Sequence, residues 1–281
     1  MTSFSRVTND LSISELLRVL QLKPKLLLLG YGLSEEDQIP QFDGILKGIW
    51  SRSPGNINPF TNPSGRDMVF GWFGWRMSLI RRKSHSHHFS AVERLVEALG
   101  IDVLATQTVD AQIRQGAAPN ILELFGNTFY GRCVRCGAAY GPLAIQQLES
   151  GKRASCKQCA GEIFPDVSMF EWNKKDVIRT QFLSAYQSAQ VVISVAGDPE
   201  LTQEIAVGSF GPGSRKQLLE LEPDRITLRS TGSGRYATYS TLVKMAEAKF
   251  GHAHPLLSGN GYRSGITFLT GLTTLAATNE Q

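Results

Sequence analysis

The stretch Lys25-Leu-Leu-Leu-Leu-Gly-Tyr-Gly-Leu-Ser34 decides the fold class. A short, continuous apolar run that is closed by two glycines is typical of a buried strand entering a tight turn. Similar runs recur at Val103–Thr106, Val191–Val195 and Leu218–Leu221, and helical patterns lie near 89–99, 174–189 and 237–250. Strands that alternate with helices predict an α/β fold with a parallel sheet covered on both faces. In such sheets, ligands bind beyond the carboxyl ends of the strands.

Local signals also mark the two ends of the chain. Ser12 and Glu15 have the spacing of a capping box, and the apolar residues that follow predict a first helix ending before Pro24. The tail, Ile266–Gln281, is rich in Thr and Ala, and we expect it to fray.

The composition is that of an ordinary globular protein. The chain has 281 residues, 42% of them hydrophobic and 19% charged, with a formal net charge of +4. This excludes disorder of the whole chain. No apolar run approaches the roughly 18 residues that cross a bilayer, and the N-terminus does not resemble a secretory signal. We therefore expect a cytoplasmic protein that does not bind membranes.

All four cysteines lie in two close pairs. Cys133-Val-Arg-Cys136 and Cys156-Lys-Gln-Cys159 are C-x2-C knuckles separated by residues 137–155. Four thiolates in this arrangement form a closed tetrahedral site for structural zinc, with no open position for a reactive water. Two disulfides or free buried thiols are the alternatives, but the spacing in a chain without a secretory signal favours zinc.

The turn after the first strand is the first candidate ligand site. Gly30, Gly32 and Ser34 can place backbone N–H groups against a phosphate. The complete dinucleotide fingerprint would also have glycine at position 35, where this chain has Glu35. A plain strand-to-helix turn is the alternative.

With a cysteine ribbon inside an alternating α/β chain, the order of segments resembles the sirtuin family of NAD-dependent protein deacylases. The match runs from about residue 25 to 230. The similar segments are Leu29–Ser34 (family T-G-A-G-I-S), Gln38–Asp43 (G-I-P-D-F-R), Thr106–Asp110 (T-Q-N-I-D), Leu122–Gly126 (L-H-G), Ile163–Phe170 (R-P-D-V-V-x-F) and Val192–Asp198 (G-T-S). The resemblance implies a Rossmann-type domain and a small domain of zinc ribbon and helices, with the active site between them.

The resemblance also implies a division of the chain. We expect a discontinuous Rossmann-type domain from residues 1–50, 89–126 and 166–265. Residues 51–88 would form the helical and loop part of the small domain, and residues 127–165 the zinc ribbon.

Several functional positions of the family have changed. Phe125 stands where sirtuins have the histidine that acts as general base toward the ribose of NAD, and phenylalanine cannot transfer a proton. Thr108 replaces the ribose-binding asparagine, and Tyr31 replaces the alanine between the turn glycines. Gln41 and Asp43 replace the aspartate and arginine of D-F-R, and Ala196-Gly-Asp198 replaces G-T-S. The added negative charges are expected to weaken binding of a pyrophosphate.

Other family positions are retained. The resemblance gives cofactor-binding roles to Gly30, Gly32, Ser34, Phe42, Gln107 and Asp110. Val167 and Phe170 match positions beside the acyl-lysine channel, whereas Glu171 replaces a glycine that pairs with substrate backbone. Retention of a loop shape without ligand binding is the alternative for these residues.

Two further groups of residues are candidates. His85, His87 and His88 can ligate a metal or supply a displaced base, although a solvated segment is the simpler interpretation. Trp72, Trp75 and Leu79 lie at helical spacing and are expected to form an apolar face of the small domain rather than a stacking surface for bases.

Three functional hypotheses follow. The first is a zinc-bound sirtuin-like protein without ordinary deacylase activity, which binds NAD, an ADP-ribose-like ligand or a protein partner. The second is an active NAD-consuming enzyme of changed chemistry, with hydrolase, ADP-ribosyltransferase or deacylase activity and with Asp110 or a nearby histidine as base. The third is nucleic-acid binding by the ribbon, whose basic residues are Arg132, Arg135, Lys152, Arg153 and Lys157.

Overall fold

The structure is a computed structural model. It describes residues 7–8, 11–40, 63–83, 87–110, 113, 117–167, 175–196, 216–230, 233–251 and 261–279. The strands are β1 Val7–Thr8, β2 Lys25–Leu29, β3 Val103–Thr106, β4 Ile121–Glu123, β5 Gly126–Cys133, β6 Ala139–Tyr140, β7 Ile163–Val167, β8 Val191–Val195, β9 Gln217–Leu221, β10 Arg225–Ser230 and β11 Ser233–Thr238. The helices are α1 Ile13–Gln21, α2 Gly32–Glu36, α3 Pro63–Arg82, α4 His87–Leu99, α5 Pro142–Gln146, α6 Lys175–Ser188, α7 Tyr239–Phe250 and α8 Tyr262–Asn279, with a 3₁₀ turn at Gln147–Ser150.

A parallel sheet forms the centre of the molecule, as the alternation of strands and helices predicts. The strand order of the larger sheet is β1-β11-β10-β9-β8-β2-β3-β4, and β9, β8, β2, β3 and β4 run parallel to one another. Every residue of β2 and of β8 is buried, because helices cover both faces. The carboxyl ends of β2, β3 and β8 therefore meet at one edge, where the turns at Gly30, Gln107 and Ala196 lie side by side.

One edge of this sheet carries an antiparallel extension that the sequence did not predict. The hairpin β10–β11 pairs Arg225 with Thr238 through Ser230 with Ser233, and β10 pairs in turn with β9. The helix predicted from about residue 237 begins at Tyr239 because Thr238 accepts the N–H of Thr241 as its N-cap. The fold is thus α/β with a mixed sheet.

The prediction for the N-terminal helix is right, whereas the prediction for the C-terminal tail is wrong. The predicted N-cap and helix end are confirmed, since the Ser12 hydroxyl accepts the N–H of Glu15 at 3.2 Å and α1 ends before Pro24, while the Glu15 carboxylate pairs with Arg235. The expected fraying of Ile266–Gln281 is wrong. Helix α8 runs to Asn279, and Ile266, Phe268 and Leu272 are fully buried in the main core, so hydrophobic packing overrides the weak helix propensity of the threonines.

A second core joins helix α3 to a small sheet with the order β6-β5-β7. It contains Phe70, Phe73 and Phe164 together with Cys133 and Cys156. The expectation for the tryptophans is right for Trp72, which is buried, but wrong for Trp75, whose side chain is 45% exposed. Trp75 lies on the opposite side of α3 from the buried phenylalanines, so the aromatic stripe is wider than the packed face. Among the described residues, no helix is long and apolar enough to span a membrane.

Candidate functional site

The four cysteines form a cluster with the dimensions of a zinc site. Their Sγ atoms all lie within 4.8 Å of one another, with 3.5 Å between Cys133 and Cys159 and 3.6 Å between Cys136 and Cys156. Four sulfurs around zinc at 2.3 Å would be about 3.8 Å apart, so the cluster fits the ion closely. All four are free thiols, which excludes the alternative of two disulfides.

Backbone and side-chain donors surround these sulfurs. The N–H of Arg135 points to Cys133 Sγ and that of Gln158 to Cys156 Sγ, both at 3.4 Å. The Tyr140 hydroxyl donates to Cys156 Sγ at 3.0 Å, and this hydrogen bond lowers the pKa of the Cys156 thiol to about 6. Donors of this kind stabilise thiolates, the form in which cysteine binds metal. Where zinc is bound, it would cross-link the two cysteine knuckles of the ribbon and leave no open position for chemistry.

The glycine turn directs its N–H groups inward. Gly30 donates to the Val195 carbonyl at 2.8 Å, Gly32 to the Ala196 carbonyl at 3.4 Å, and Ser34 to the Tyr31 carbonyl at 2.9 Å. A Cβ on Gly32 would stand 3.0 Å from the Cβ of Ala196 and 3.3 Å from the ring of Tyr262. Close packing of β2, β8 and α8 therefore explains this glycine without a ligand.

Ala196 lies directly opposite this turn. Its φ of 54° is in the left-handed region, which favours glycine over residues with a Cβ. By the resemblance, Ala196 corresponds to the glycine of the G-T-S segment, so its methyl group would lie where a glycine is expected.

A buried ionic group lies beneath the turn. Asp110 and Ser34 are fully buried, and the Ser34 hydroxyl donates to Asp110 Oδ2 at 2.5 Å. The guanidinium of Arg76, which is 1% exposed, lies 3.8 Å from the same oxygen. Burial lowers the pKa of Arg76, and the charge of Asp110 counteracts this effect. Asp110 Oδ1 has no hydrogen-bond partner among the residues that the structure describes.

The loop after β3 is held by hydrogen bonds to β2 and within itself. Gln107 and Thr108 are both buried, and the Gln107 N–H donates to the Leu29 carbonyl at 2.8 Å. The hydroxyls of Thr108 and Thr106 are 2.8 Å apart, and the Thr106 hydroxyl also accepts the N–H of Thr108. Thr108 is therefore bonded within its own loop.

Phe125 lies in the turn between β4 and β5, and its side chain is 46% exposed. The next residue, Gly126, has a φ of 83°, and a Cβ there would collide with the carbonyl oxygen of Asp166 on β7. Gly126 is thus required by backbone conformation and packing, whereas the ring of Phe125 is not part of a core.

Comparison with known proteins gives the family. The family model described as "Sir2 family" matches residues 30–199, which is more than half of the chain. The chain belongs to the Sir2 family.

Curated relatives carry the name NAD-dependent protein deacylase. The protein of Aeropyrum pernix is 32% identical over 143 residues, which are 50% of this chain and 57% of that relative. The protein of Leptospira interrogans serovar Lai is 25% identical over 72% of this Sir2 chain and 82% of its own length.

Solved Sir2 structures share the fold. A Sir2 homologue in complex with NAD has a TM-score of 0.63 at 22% identity, covering 78% of this chain and 85% of that one. A mutant Sir2 homologue in complex with ADP-ribose has a TM-score of 0.65 at 20% identity, covering 94% and 97%. The predicted α/β architecture, with a Rossmann-type sheet and a cysteine-ribbon module, is confirmed.

Of the other expected site residues, the structure describes the side chain of Val167 only. Val167 ends β7, pairs with Gly126, and its side chain is buried in the second core. Several expected residues lie outside the described part of the chain, namely Gln41, Phe42, Asp43, His85, Phe170, Glu171 and Asp198, and for His87 and His88 only the backbone is described, at the start of α4.

The basic residues of the ribbon are largely engaged within the protein. Arg132 pairs with Asp166 at 3.1 Å, and Arg153 pairs with Glu162 at 3.0 Å and with Asp67. Arg135 donates to the Cys159 carbonyl at 2.9 Å. These contacts reduce the free positive charge that a phosphate backbone would need.

Sequence reasoning missed two residues of the site. Arg76 lies inside an aromatic helix, and nothing in its local pattern indicates a contact with Asp110. Tyr140 lies on β6, four residues after Cys136, and an aromatic hydroxyl so close to a knuckle is the one signal that could have identified it.

Proposed function

We propose that this Sir2-family chain is a zinc protein that binds an NAD- or ADP-ribose-like ligand and lacks ordinary NAD-dependent deacylase activity. Phe125 is the observation that carries the proposal. Its ring stands, half exposed, in the turn where the family's general base is expected, and it can neither accept nor donate a proton. Loss of such a base costs about 10²–10⁴ in rate.

The buried acceptor at Asp110 supports a ligand. Oδ2 is engaged by Ser34, but Oδ1 is buried and lacks a partner among the described residues. A buried acceptor without a donor costs about 1–3 kcal/mol. A carboxamide N–H from a nicotinamide group would satisfy it, in keeping with the role that the family resemblance gives to Asp110. Two of the similar structures hold NAD or ADP-ribose.

The remaining changes support the absence of ordinary chemistry. The Thr108 hydroxyl is bonded to Thr106, so it does not replace the asparagine amide that would hold the ribose. The inward N–H groups of Gly30 and Gly32, together with the methyl of Ala196, reduce the donors and the space open to a pyrophosphate. We propose that Gly30, Gly32, Ser34, Gln107 and Asp110 shape the ligand pocket through these contacts.

The zinc site and the domain division complete the proposal. Cys133, Cys136, Cys156 and Cys159 would hold structural zinc. We keep the division into a discontinuous Rossmann-type domain and a small domain, because the small core joins α3 to the ribbon residues. A site of four reduced thiolates favours a cytoplasmic location.

Calorimetry with NAD and ADP-ribose tests the ligand. We expect both to bind, with NAD favoured through the Asp110 acceptor. Asp110→Ala should weaken the affinity for NAD about tenfold or more, because a hydrogen bond to a charged group contributes about 1.5–3 kcal/mol. Retained ADP-ribose binding would show that the variant is folded. Failure of both nucleotides to bind the wild-type protein would overturn the ligand and leave a protein partner as the alternative.

An active NAD-consuming enzyme is the second candidate. Departure of nicotinamide needs positioning and desolvation more than it needs the histidine, and the fully buried Asp110 offers both. Asp110 is not well placed as a base for water, however, because its Oδ2 atom already accepts from the Ser34 hydroxyl and lies near the Arg76 guanidinium. Nicotinamide release by pure protein, lost in Asp110→Ala, would favour this candidate.

A further inference from the structure

Arg76 is a buried cation whose position links three parts of the molecule. Its Nε donates to the Pro40 carbonyl at 3.1 Å and its Nη1 to the Thr128 hydroxyl at 3.3 Å, while Nη2 lies 3.8 Å from Asp110 Oδ2. The side chain thus connects α3 with β5 and with the segment that follows α2. It is fixed, because a planar guanidinium bound at separate nitrogens cannot rotate freely.

The two oxygens of Asp110 have different surroundings. Oδ2 faces both the Ser34 hydroxyl and the Arg76 guanidinium, and Oδ1 faces neither. The partners on Oδ2 fix the plane of the carboxylate, and Oδ1 has no donor among the described residues. The second oxygen is therefore a single, oriented acceptor.

The charge of this group decides what Oδ1 accepts. Arg76 and Asp110 are 1% and 0% exposed, so their charges cancel at short range with little screening by water. A neutral N–H donor adds a hydrogen bond and leaves the buried group neutral. An ammonium group would lose its hydration and bring a net positive charge next to Arg76, which is unfavourable in a buried site.

We propose that Arg76 is a specificity-determining residue, which makes the pocket at Asp110 select a neutral carboxamide over an ammonium group. This rests on the proposed function, since it concerns the same pocket. It goes further by assigning selectivity to a residue outside the motifs of the sequence. Without Arg76, the carboxylate would be uncompensated and would attract a cation instead.

Two small probes of similar shape test this selectivity. Nicotinamide carries a neutral carboxamide, and pyridylmethylamine carries an amine that is protonated at neutral pH. Calorimetry or ligand-observed NMR gives the ratio of their dissociation constants. We expect the wild-type protein to favour nicotinamide, and Arg76→Met to shift the ratio about tenfold or more toward the amine, as expected for one unpaired buried charge.

Matched variants separate selectivity from stability. Arg81→Met removes an arginine from the same helix that pairs with Glu149 near the surface, and it should leave the ratio unchanged. Should Arg76→Met not fold, the double variant Arg76→Met, Asp110→Asn removes both buried charges together and is expected to fold. Its neutral pocket should again favour nicotinamide, and equal binding of the two probes by this variant would overturn the proposal.

The remaining outcomes distinguish the role of Arg76 from the proposed binding of a nucleotide ligand. If Arg76→Met keeps the wild-type ratio while Asp110→Ala loses nicotinamide, the role of Arg76 is wrong and the proposed pocket stands. If the wild-type protein binds neither nicotinamide nor NAD, both the inference and the proposed ligand are overturned. A drop in melting temperature at an unchanged ratio would show that Arg76 acts only in stability.

Discussion

The cysteine ribbon and the proposed ligand pocket at Asp110 differ in how completely the structure assembles them within one chain. The ribbon keeps all four ligands, both sulfur-bound N–H groups and the spacing that zinc requires. The pocket has Gly30, Gly32 and Asp110, but the resemblance places Phe125 and Thr108 where a general base and a ribose-binding asparagine are expected. On the proposed function, the ribbon binds its metal with a complete ligand set, whereas the pocket at Asp110 binds a ligand without ordinary deacylase chemistry.

The contrast follows from the physics of the two sites. Metal binding contributes to the folding free energy, so any change of a ligand is felt by the whole small domain. Catalytic groups contribute to rate and can be replaced without loss of the fold. Glycines at a nucleotide-binding turn are therefore weak evidence of catalytic activity, whereas a four-cysteine cluster is strong evidence of zinc.

Loss of a zinc ligand should give the largest effect. Cys156→Ser removes one of four ligands and a buried member of the small core, and zinc contributes ~10–16 kcal/mol in small zinc peptides. We expect zinc content measured by mass spectrometry to fall from about one per chain to near zero. Hydrogen exchange should rise across residues 127–165 and stay low in β2 and β8. Lys152→Ala, at an exposed ribbon position, is the control and should keep its zinc. Full zinc content in Cys156→Ser would contradict the assignment of the ribbon as a four-cysteine zinc site.

Gly126→Ala tests whether a retained cleft glycine is structural. The new Cβ would collide with the Asp166 carbonyl, and φ is 83°, so we expect about 2–4 kcal/mol of destabilisation by denaturant unfolding. Gly151→Ala is matched, because Gly151 has a φ of 73° and open space at its Cβ, and it should cost about 1 kcal/mol. An equal loss of unfolding free energy in the two variants would show that the contact of Gly126 with β7 is unimportant.

Tyr140→Phe sharpens the account of the ribbon. It removes the hydroxyl that donates to Cys156 Sγ and accepts the N–H of Lys157, without changing the core. Loss of such an outer partner typically weakens metal binding about 10–100-fold. Competition with a chelator measures this change. Tyr130→Phe, at an exposed position of β5, is the control and should bind zinc normally.

Much of the fold was predictable because its signals are local. The runs at Lys25–Leu29, Val103–Thr106 and Val191–Val195 became strands with these bounds, since continuous apolar segments of this length fit buried parallel strands. The hairpin β10–β11 was missed because Arg225, Arg229 and Arg235 interrupt its apolar pattern. Glu222, Glu220 and Glu15 pair with these arginines, and only the tertiary structure reveals that pairing.

The site was predictable only in part, for the same reason. The cysteine cluster follows from spacing along the chain. The Arg76–Asp110 pair joins residues from α3 and the loop after β3, and no local pattern connects them. Helix α8 was misjudged because its threonines suggest a weak helix, although Ile266, Phe268 and Leu272 pack in the main core.

The smallest expected effect belongs to Phe125→His. Restoring the imidazole alone should not produce deacylation of an acetyl-lysine peptide, since Thr108 remains bonded to Thr106 and the turn N–H groups remain directed inward. Mass spectrometry of the peptide is the measurement. Recovered deacylation in this single variant would show that the other changes in the cleft matter little.

The most direct test of the central claim is a nicotinamide-release assay with pure, zinc-loaded protein, NAD and an acetyl-lysine peptide. The proposed loss of ordinary deacylase chemistry predicts release at the level of a blank without protein, and no deacetylated peptide. Release well above the blank, coupled to peptide deacetylation and abolished by Asp110→Ala, would contradict the account and establish an active enzyme.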